Sequence, residues 1–215
     1  MTRHPMRLGV LLLTLACVSC RLAEPADRGE FALIVRDQTT MTDEYVRTPG
    51  VLEGIARPRA SGAKFGWARY RVEFSVSGDV SRSELSLGRV GTTPDSTPVG
   101  TYTITFGPDW IVEEWPNRPP TRVPYIRGTV PVFAPSIAML QEAVLRARTV
   151  ADGGEAEVPI YPVLSDAKVE HASLRRVAPD VIAFAWGNAR TEYVVRDGKI
   201  MRGQSSDGAF VTVRR

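Results

Sequence analysis

Cysteine and histidine are the residues that this chain has least of. Its 215 residues include two cysteines, Cys17 and Cys20, and two histidines, His4 and His171. Both cysteines and one histidine lie within the first twenty positions, so the remaining chain can form no disulfide, thiol nucleophile or histidine-rich metal site. We therefore expect neither a metal nor a cofactor.

Sequence patterns typical of catalysis are scarce as well. The nucleophile elbow, the zinc-protease helix, the EF-hand loop and the phosphate-binding loop have no match in the sequence. The acidic pairs Asp43-Glu44 and Glu113-Glu114 are interpreted as solvated strand residues. Because neighbours on a strand point to opposite faces, neither pair can clamp a glycosidic bond. These absences predict a protein that is not an enzyme.

The N-terminal segment has the layout of a secretory signal. Arg3 and Arg7 precede an apolar run from Leu8 to Val18, and small residues precede Cys20. The run has about 11 residues, whereas a membrane-spanning helix needs roughly 20. Cleavage would remove both arginines and lower the net charge from +3 to about +1. The charge is then weak grounds for expecting nucleic acid as a partner.

These cysteines resemble the lipobox of bacterial lipoproteins, in which the cleaved chain begins at a cysteine that carries lipid. Val18-Ser19-Cys20 favours Cys20 as the lipidated residue, and Thr14-Leu15-Ala16-Cys17 leaves Cys17 as the alternative. An ordinary signal peptide with two apolar cysteines is the third interpretation. Several lipid signals together hold a protein stably on a membrane.

The resemblance implies three segments and a location. Residues 1–19 would be the signal peptide, 20–28 a lipidated tether and 29–215 a single antiparallel β domain. Arg21 occupies the position where an aspartate retains enteric lipoproteins in the inner membrane. We therefore expect a protein anchored in the bacterial cell envelope and facing the periplasm, with the outer membrane favoured.

Beyond the tether, the sequence alternates as in an antiparallel β protein. Tyr70, Val72 and Phe74 alternate with charged residues, and turn signals such as Asp197-Gly198 separate the short strands. Ile137–Arg148 is the exception, because its apolar residues have helical spacing and Ser136 is a suitable N-cap. The predicted fold class is mainly β (α+β): one strongly curved antiparallel sheet or half-barrel of about 11–12 strands packed on a single helix.

This order of elements resembles the half-barrel folds of the outer-membrane lipoprotein carrier group and of uncharacterised periplasmic lipoproteins. In those proteins a curved sheet wraps a helix and can hold acyl chains. The resemblance covers element order, so no binding residues are transferred from the family.

Two functions are therefore considered. The first is a non-enzymatic lipoprotein that binds an apolar or lipid-like ligand in a sheet cavity, which would be lined by Phe74, Trp110, Leu140 and Val144. The alternative is an envelope scaffold or assembly accessory that holds a protein partner through its sheet edge or the Arg118–Arg127 loop.

Overall fold

The computed structural model describes residues 26–146 and 150–215. In these ranges the chain forms fifteen strands and one α-helix, in the order β1 (Asp27–Val35), β2 (Gln38–Arg47), β3 (Val51–Pro58), β4 (Trp67–Phe74), β5 (Val80–Gly88), β6 (Gly100–Phe106), β7 (Trp110–Glu114), β8 (Thr121–Pro124), β9 (Val130–Val132), α1 (Ile137–Val144), β10 (Glu155–Pro162), β11 (Glu170–Ala178), β12 (Val181–Trp186), β13 (Ala189–Arg196), β14 (Lys199–Ser205) and β15 (Val211–Arg214).

All fifteen strands belong to one open, curved sheet. Its order is β8-β7-β6-β5-β4-β3-β2-β1-β15-β14-β13-β12-β11-β10-β9, and β9 with β10 is the one parallel pair among the described strands. Although β8 and β9 follow each other in the chain, they form opposite edges, so the sheet must curl until its halves face each other. Accordingly, the rings of Phe106 on β6 and Tyr161 on β10 lie 6.4 Å apart.

Helix α1 occupies the concave side of this sheet. It begins after Ser136, whose hydroxyl accepts a hydrogen bond from the Met139 amide at 3.1 Å, as the predicted N-cap requires. Six of its eight residues are buried, and they include Ala138, Gln141 and Val144. The helix therefore fills the interior that the curved sheet encloses.

The predicted helix is too long at its C-terminal end. It ends at Val144 instead of Arg148, and Leu145 and Arg146 form a tighter turn. Arg146 donates a hydrogen bond to the carbonyl oxygen of Gly78 at 3.4 Å, which ties the end of the helix to the turn between β4 and β5. Arg148 lies outside the described residues.

The fold class is confirmed as mainly β with one helix packed on a curved sheet, but the strand number is wrong. Strand β8 lies within the segment Arg118–Arg127, which was expected to be a loop because prolines surround this four-residue strand. All three residues of β9 are buried, so they carry no alternation. Strand β1 begins at Asp27, so Asp27 and Arg28, which were expected at the end of the tether, are strand residues.

The core fills the space between the two halves of the sheet. Side chains from both halves and from α1 form one buried apolar cluster. The largest fully buried members of this cluster include Tyr70, Tyr161, Tyr193, Phe31 and Leu52. No helix within the described ranges has the length and apolarity needed to cross a bilayer.

Candidate functional site

The structure brings together three of the four residues expected to line a ligand cavity. Phe74 and Val144 belong to the interior apolar cluster, and the half-buried Leu140 packs against it. Trp110 lies on the other face of the sheet, because Ile111 and Glu113 take the inward positions of β7. Its side chain is 49% exposed. Trp110 therefore does not share the interior with the other three.

A buried carboxylate connects α1 to the sheet. Asp43 on β2 is fully buried and accepts hydrogen bonds from the Tyr70 hydroxyl (2.8 Å), the Ser136 hydroxyl (3.1 Å) and the Ala138 amide (2.9 Å). Burial raises the pKa of Asp43 to about 6, although these hydrogen bonds favour the ionised form. The carboxylate thus satisfies donors at the helix N-terminus, where negative charge is favoured.

The second buried carboxylate lies between the two halves of the sheet. Glu113 on β7 is 2% exposed and accepts a hydrogen bond from the Tyr161 hydroxyl on β10 at 2.9 Å. Its other carboxylate oxygen has no partner among the described residues. Burial, and then the charge of Glu113, raise the pKa of Tyr161, so this phenol keeps its proton.

Solvation of the two acidic pairs was therefore predicted correctly for only one member of each. Glu44 and Glu114 are exposed, whereas Asp43 and Glu113 are buried on the opposite face. The alternation itself was predicted correctly. The burial was missed because Asp43 and Glu113 each stand next to another acidic residue, as exposed strand residues do, and their hydrogen-bond partners lie far away in sequence.

A large concave space lies on the outer face of the sheet. It has a volume of about 710 Å³ and crosses strands β1 to β5. Val46 and Ile55 form an apolar centre between charged side chains. Those charged residues are Arg28, Glu44, Glu53, Arg69, Arg71 and Glu84. We call this surface the outer groove.

Ion pairs order the side chains of the outer groove. Arg71 bridges Glu53 at 2.9 Å and Glu73 at 3.0 Å, while Glu44 pairs with Arg57 at 2.6 Å. These pairs are exposed, so each contributes little to stability. The ion pairs instead hold arginine and glutamate side chains in defined positions around Val46 and Ile55.

The floor of the outer groove includes Gly54, which the Tyr70 side chain approaches closely from the other face of the sheet. A Cβ atom at Gly54 would overlap the Tyr70 hydroxyl and the backbone oxygen of Glu44. The missing side chain lets Tyr70 pass beneath β3 and reach Asp43 on β2. The groove and the Asp43 network are therefore opposite faces of the same strands.

Comparison with known proteins gives fold similarity alone. No protein-family model matches the chain, and no curated protein matches it. A DUF1089 family protein from Pseudomonas aeruginosa is similar with a TM-score of 0.56 at 12% identity, covering 77% of this chain and 90% of that one. A β-barrel-like protein of the domain of unknown function DUF1849 from Brucella abortus gives a TM-score of 0.49 at 10% identity, covering 89% and 95% respectively.

A smaller depression lies on the outer face of the other half of the sheet. Its volume is about 280 Å³, and Arg175, Ala183, Ala185, Arg190 and Glu192 contribute to its lining. It lacks the branched apolar centre of the outer groove, so it serves as a natural comparison surface.

The two predicted lipidation sites and the one histidine beyond the N-terminal segment complete the set of candidate residues. Cys20 and Cys17 lie outside the described residues, so lipidation stays a prediction. His171 lies on β11 with an exposed side chain, and its Nδ1 is 3.7 Å from a carboxylate oxygen of Glu157. Among the described residues no group of three or more metal-ligating side chains is placed to hold an ion.

Proposed function

We propose that this protein is a lipid-anchored, non-enzymatic component of the bacterial envelope, with Cys20 as the anchor and the outer membrane as the favoured location. In this proposal it acts as a scaffold or assembly accessory, and the outer groove receives a segment of a protein partner. The observation that carries the proposal is the position of this groove on the outside of a sheet whose interior is occupied by α1 and buried side chains.

The chemistry of the outer groove suits a polar protein segment with an apolar side chain at its centre. Val46 and Ile55 are half-buried, so a partner side chain placed between them would remove apolar surface from water. The surrounding arginines and glutamates give register and selectivity to a partner of complementary pattern, because charges around an interface act mainly on specificity.

The test is crosslinking in living cells that make the full-length chain. A photoreactive amino acid at Ile55 should crosslink one discrete protein, and the same residue at Ala183, in the smaller depression, should not. The crosslink should disappear when Glu53 and Glu84 are both replaced by lysine, which reverses charge around the groove. Equal crosslinking at the two positions, or none at Ile55, would refute the use of this groove.

A second candidate is binding of an apolar or lipid-like ligand in the interior, in place of α1. Phe74 supports it, because its ring belongs to the apolar interior that would be uncovered if the single short helix, which carries Leu140 and Val144, moved aside. Organic extraction of the purified protein, read by mass spectrometry, should then recover a stoichiometric lipid. An empty extract, together with no uptake of a fatty-acid probe, would exclude this candidate.

A further inference from the structure

Three of the seven large apolar side chains that are exposed among the described residues lie on turns at one end of the sheet. The turn between β4 and β5 carries Val76, whose side chain is fully exposed. Trp110, at the first position of β7, is 49% exposed, and Ile126, in the loop between β8 and β9, is 40% exposed. Single exposed apolar residues need no explanation, but a contiguous set on neighbouring turns marks an interaction site.

Direct contacts join these three turns into one rim. The Tyr125 amide donates to the carbonyl oxygen of Asp109 at 2.9 Å, which joins the β8–β9 loop to the β6–β7 turn. Arg127 of the β8–β9 loop lies 4.0 Å from Asp79, which joins this loop to the β4–β5 turn. We call these three turns the apolar rim.

The apolar rim lies at the end of the sheet from which the N-terminal segment leaves. Asp27 is opposite Arg47 in the β1–β2 register, and the Arg47 guanidinium lies 4.1 Å from the Phe74 ring, at the base of the β4–β5 turn. Three strand spacings separate β1 from β4, which is about 14 Å. From Cys20 to Ala26 the chain can extend about 20 Å.

The rim also carries side chains suited to the surface of a bilayer. The Arg127 side chain is 86% exposed. Arginine is attracted to anionic headgroups, while tryptophan favours the interface between headgroups and acyl chains. Asp79 and Asp109 are the acidic residues of these turns, and Asp79 faces Arg127.

We infer that the apolar rim docks on a lipid bilayer, inserting Val76, Trp110 and Ile126 at the interface while Arg127 contacts the headgroup phosphates. This inference rests on the proposed lipid anchor, which would place the same end of the sheet against the membrane. The docking fixes the orientation of the domain and leaves the outer groove on its side accessible to a partner.

Strand β7 supplies a matched pair of probes for this orientation. Trp110 begins the strand at the rim, and Trp115 follows its last residue at the opposite end, packed against Tyr102 with ring centroids 4.6 Å apart. Five residues of strand separate the two indoles by about 17 Å. A bilayer that contacts the rim therefore reaches one indole and not the other.

The experiment uses the full-length chain purified from bacteria and placed on vesicles of phosphatidylethanolamine and phosphatidylglycerol with brominated acyl chains, which quench nearby tryptophan. Fluorescence of the native protein and of Trp115→Phe should be quenched, and quenching should be lost in Trp110→Phe. Arg127→Gln should weaken the quenching, whereas Arg118→Gln, at the opposite end, should leave it unchanged.

Quenching that persists in Trp110→Phe, or no quenching in any protein, would overturn the docking of the rim. The mass of the purified protein tests the anchor separately, because acylation at Cys20 adds the mass of its chains whatever the orientation of the domain. A protein without acyl chains whose Trp110 is still quenched on added vesicles would refute the anchor and support the rim.

Discussion

Replacement of Asp43 by asparagine should change how stability depends on pH. The carboxylate of Asp43 is buried between the sheet and α1, where its partners are Tyr70, Ser136 and the Ala138 amide. Asparagine keeps the shape and an acceptor for the amide, and its NH₂ group can donate to the Tyr70 oxygen. The substitution therefore removes the ionisation while retaining most of the hydrogen bonding.

The magnitude follows from the shift in the Asp43 pKa, from 3.8 in the unfolded chain to about 6 in the folded protein. Between those values the folded state holds a proton that the unfolded state has released, so the free energy of unfolding falls as pH rises. About two pKa units correspond to about 3 kcal/mol. This contribution is fully present below about pH 4 and lost by about pH 7.

Denaturant unfolding of both proteins from pH 4 to pH 7.5 measures the effect. The unfolding free energy of the native protein minus that of Asp43→Asn should fall by about 3 kcal/mol from pH 4 to pH 7.5. Other titrating groups are common to the two proteins and cancel in the difference. Glu44→Gln, which removes the exposed neighbour on the other face, should change stability by less than about 1 kcal/mol. A difference that stays constant with pH, or increases, would refute the buried and ionisable role assigned to Asp43.

Two further substitutions test the buried pair and the close approach beneath the groove. Tyr161→Phe removes the hydroxyl that donates to the buried Glu113, so it should lower the unfolding free energy by about 2 kcal/mol. A loss within experimental error would contradict a buried hydrogen bond between Tyr161 and Glu113. Gly54→Ala places a methyl group against Tyr70 and should cost about 3 kcal/mol. Gly50→Ala, which has open space around it, should not destabilise, and equal losses for the two glycines would refute the argument.

The fold class could be predicted from the sequence because the strands of the first half have one wet face and one buried face. Arg69 and Arg71 alternate with Tyr70 and Val72, and hydrogen-bonded neighbours repeat the pattern. The alternation fails at the edges of the sheet. Val130–Val132 is buried at every position, so no local signal separates a parallel edge strand from a short apolar loop.

The geometry of the groove and of the buried carboxylates was not accessible to sequence reasoning. Asp43 meets Ser136 across 93 positions of the chain, and Glu113 meets Tyr161 across 48. Only the curl of the sheet brings these partners together. Trp110 was expected in the interior but lies on the outer face, because the phase of a five-residue strand is weakly marked in the sequence and a shift by one residue exchanges the two faces.

The start of β1 is where the proposed anchor meets the fold. Strand β1 is central in the sheet and pairs with β2 and β15, whereas an edge strand has hydrogen bonds on one side only. Asp27 accepts a hydrogen bond from Tyr45 at 3.0 Å and pairs with Arg214 at 2.6 Å and Lys199 at 2.8 Å. Burial alone would raise the pKa of Asp27, but the hydrogen bonds from Arg214 and Lys199 outweigh it and lower the pKa.

A tether attached at this point acts first on the ion-paired Asp27 and on the β2 ladder, and the β15 ladder holds the same strand from Phe31 onward. The same tether at β8 or β9 would peel a single edge strand, which is a weaker attachment because the bonds can break one after another. In the proposed arrangement, attachment at β1 would hold the first half of the sheet, which carries both the outer groove and the apolar rim, against the membrane without loosening either surface.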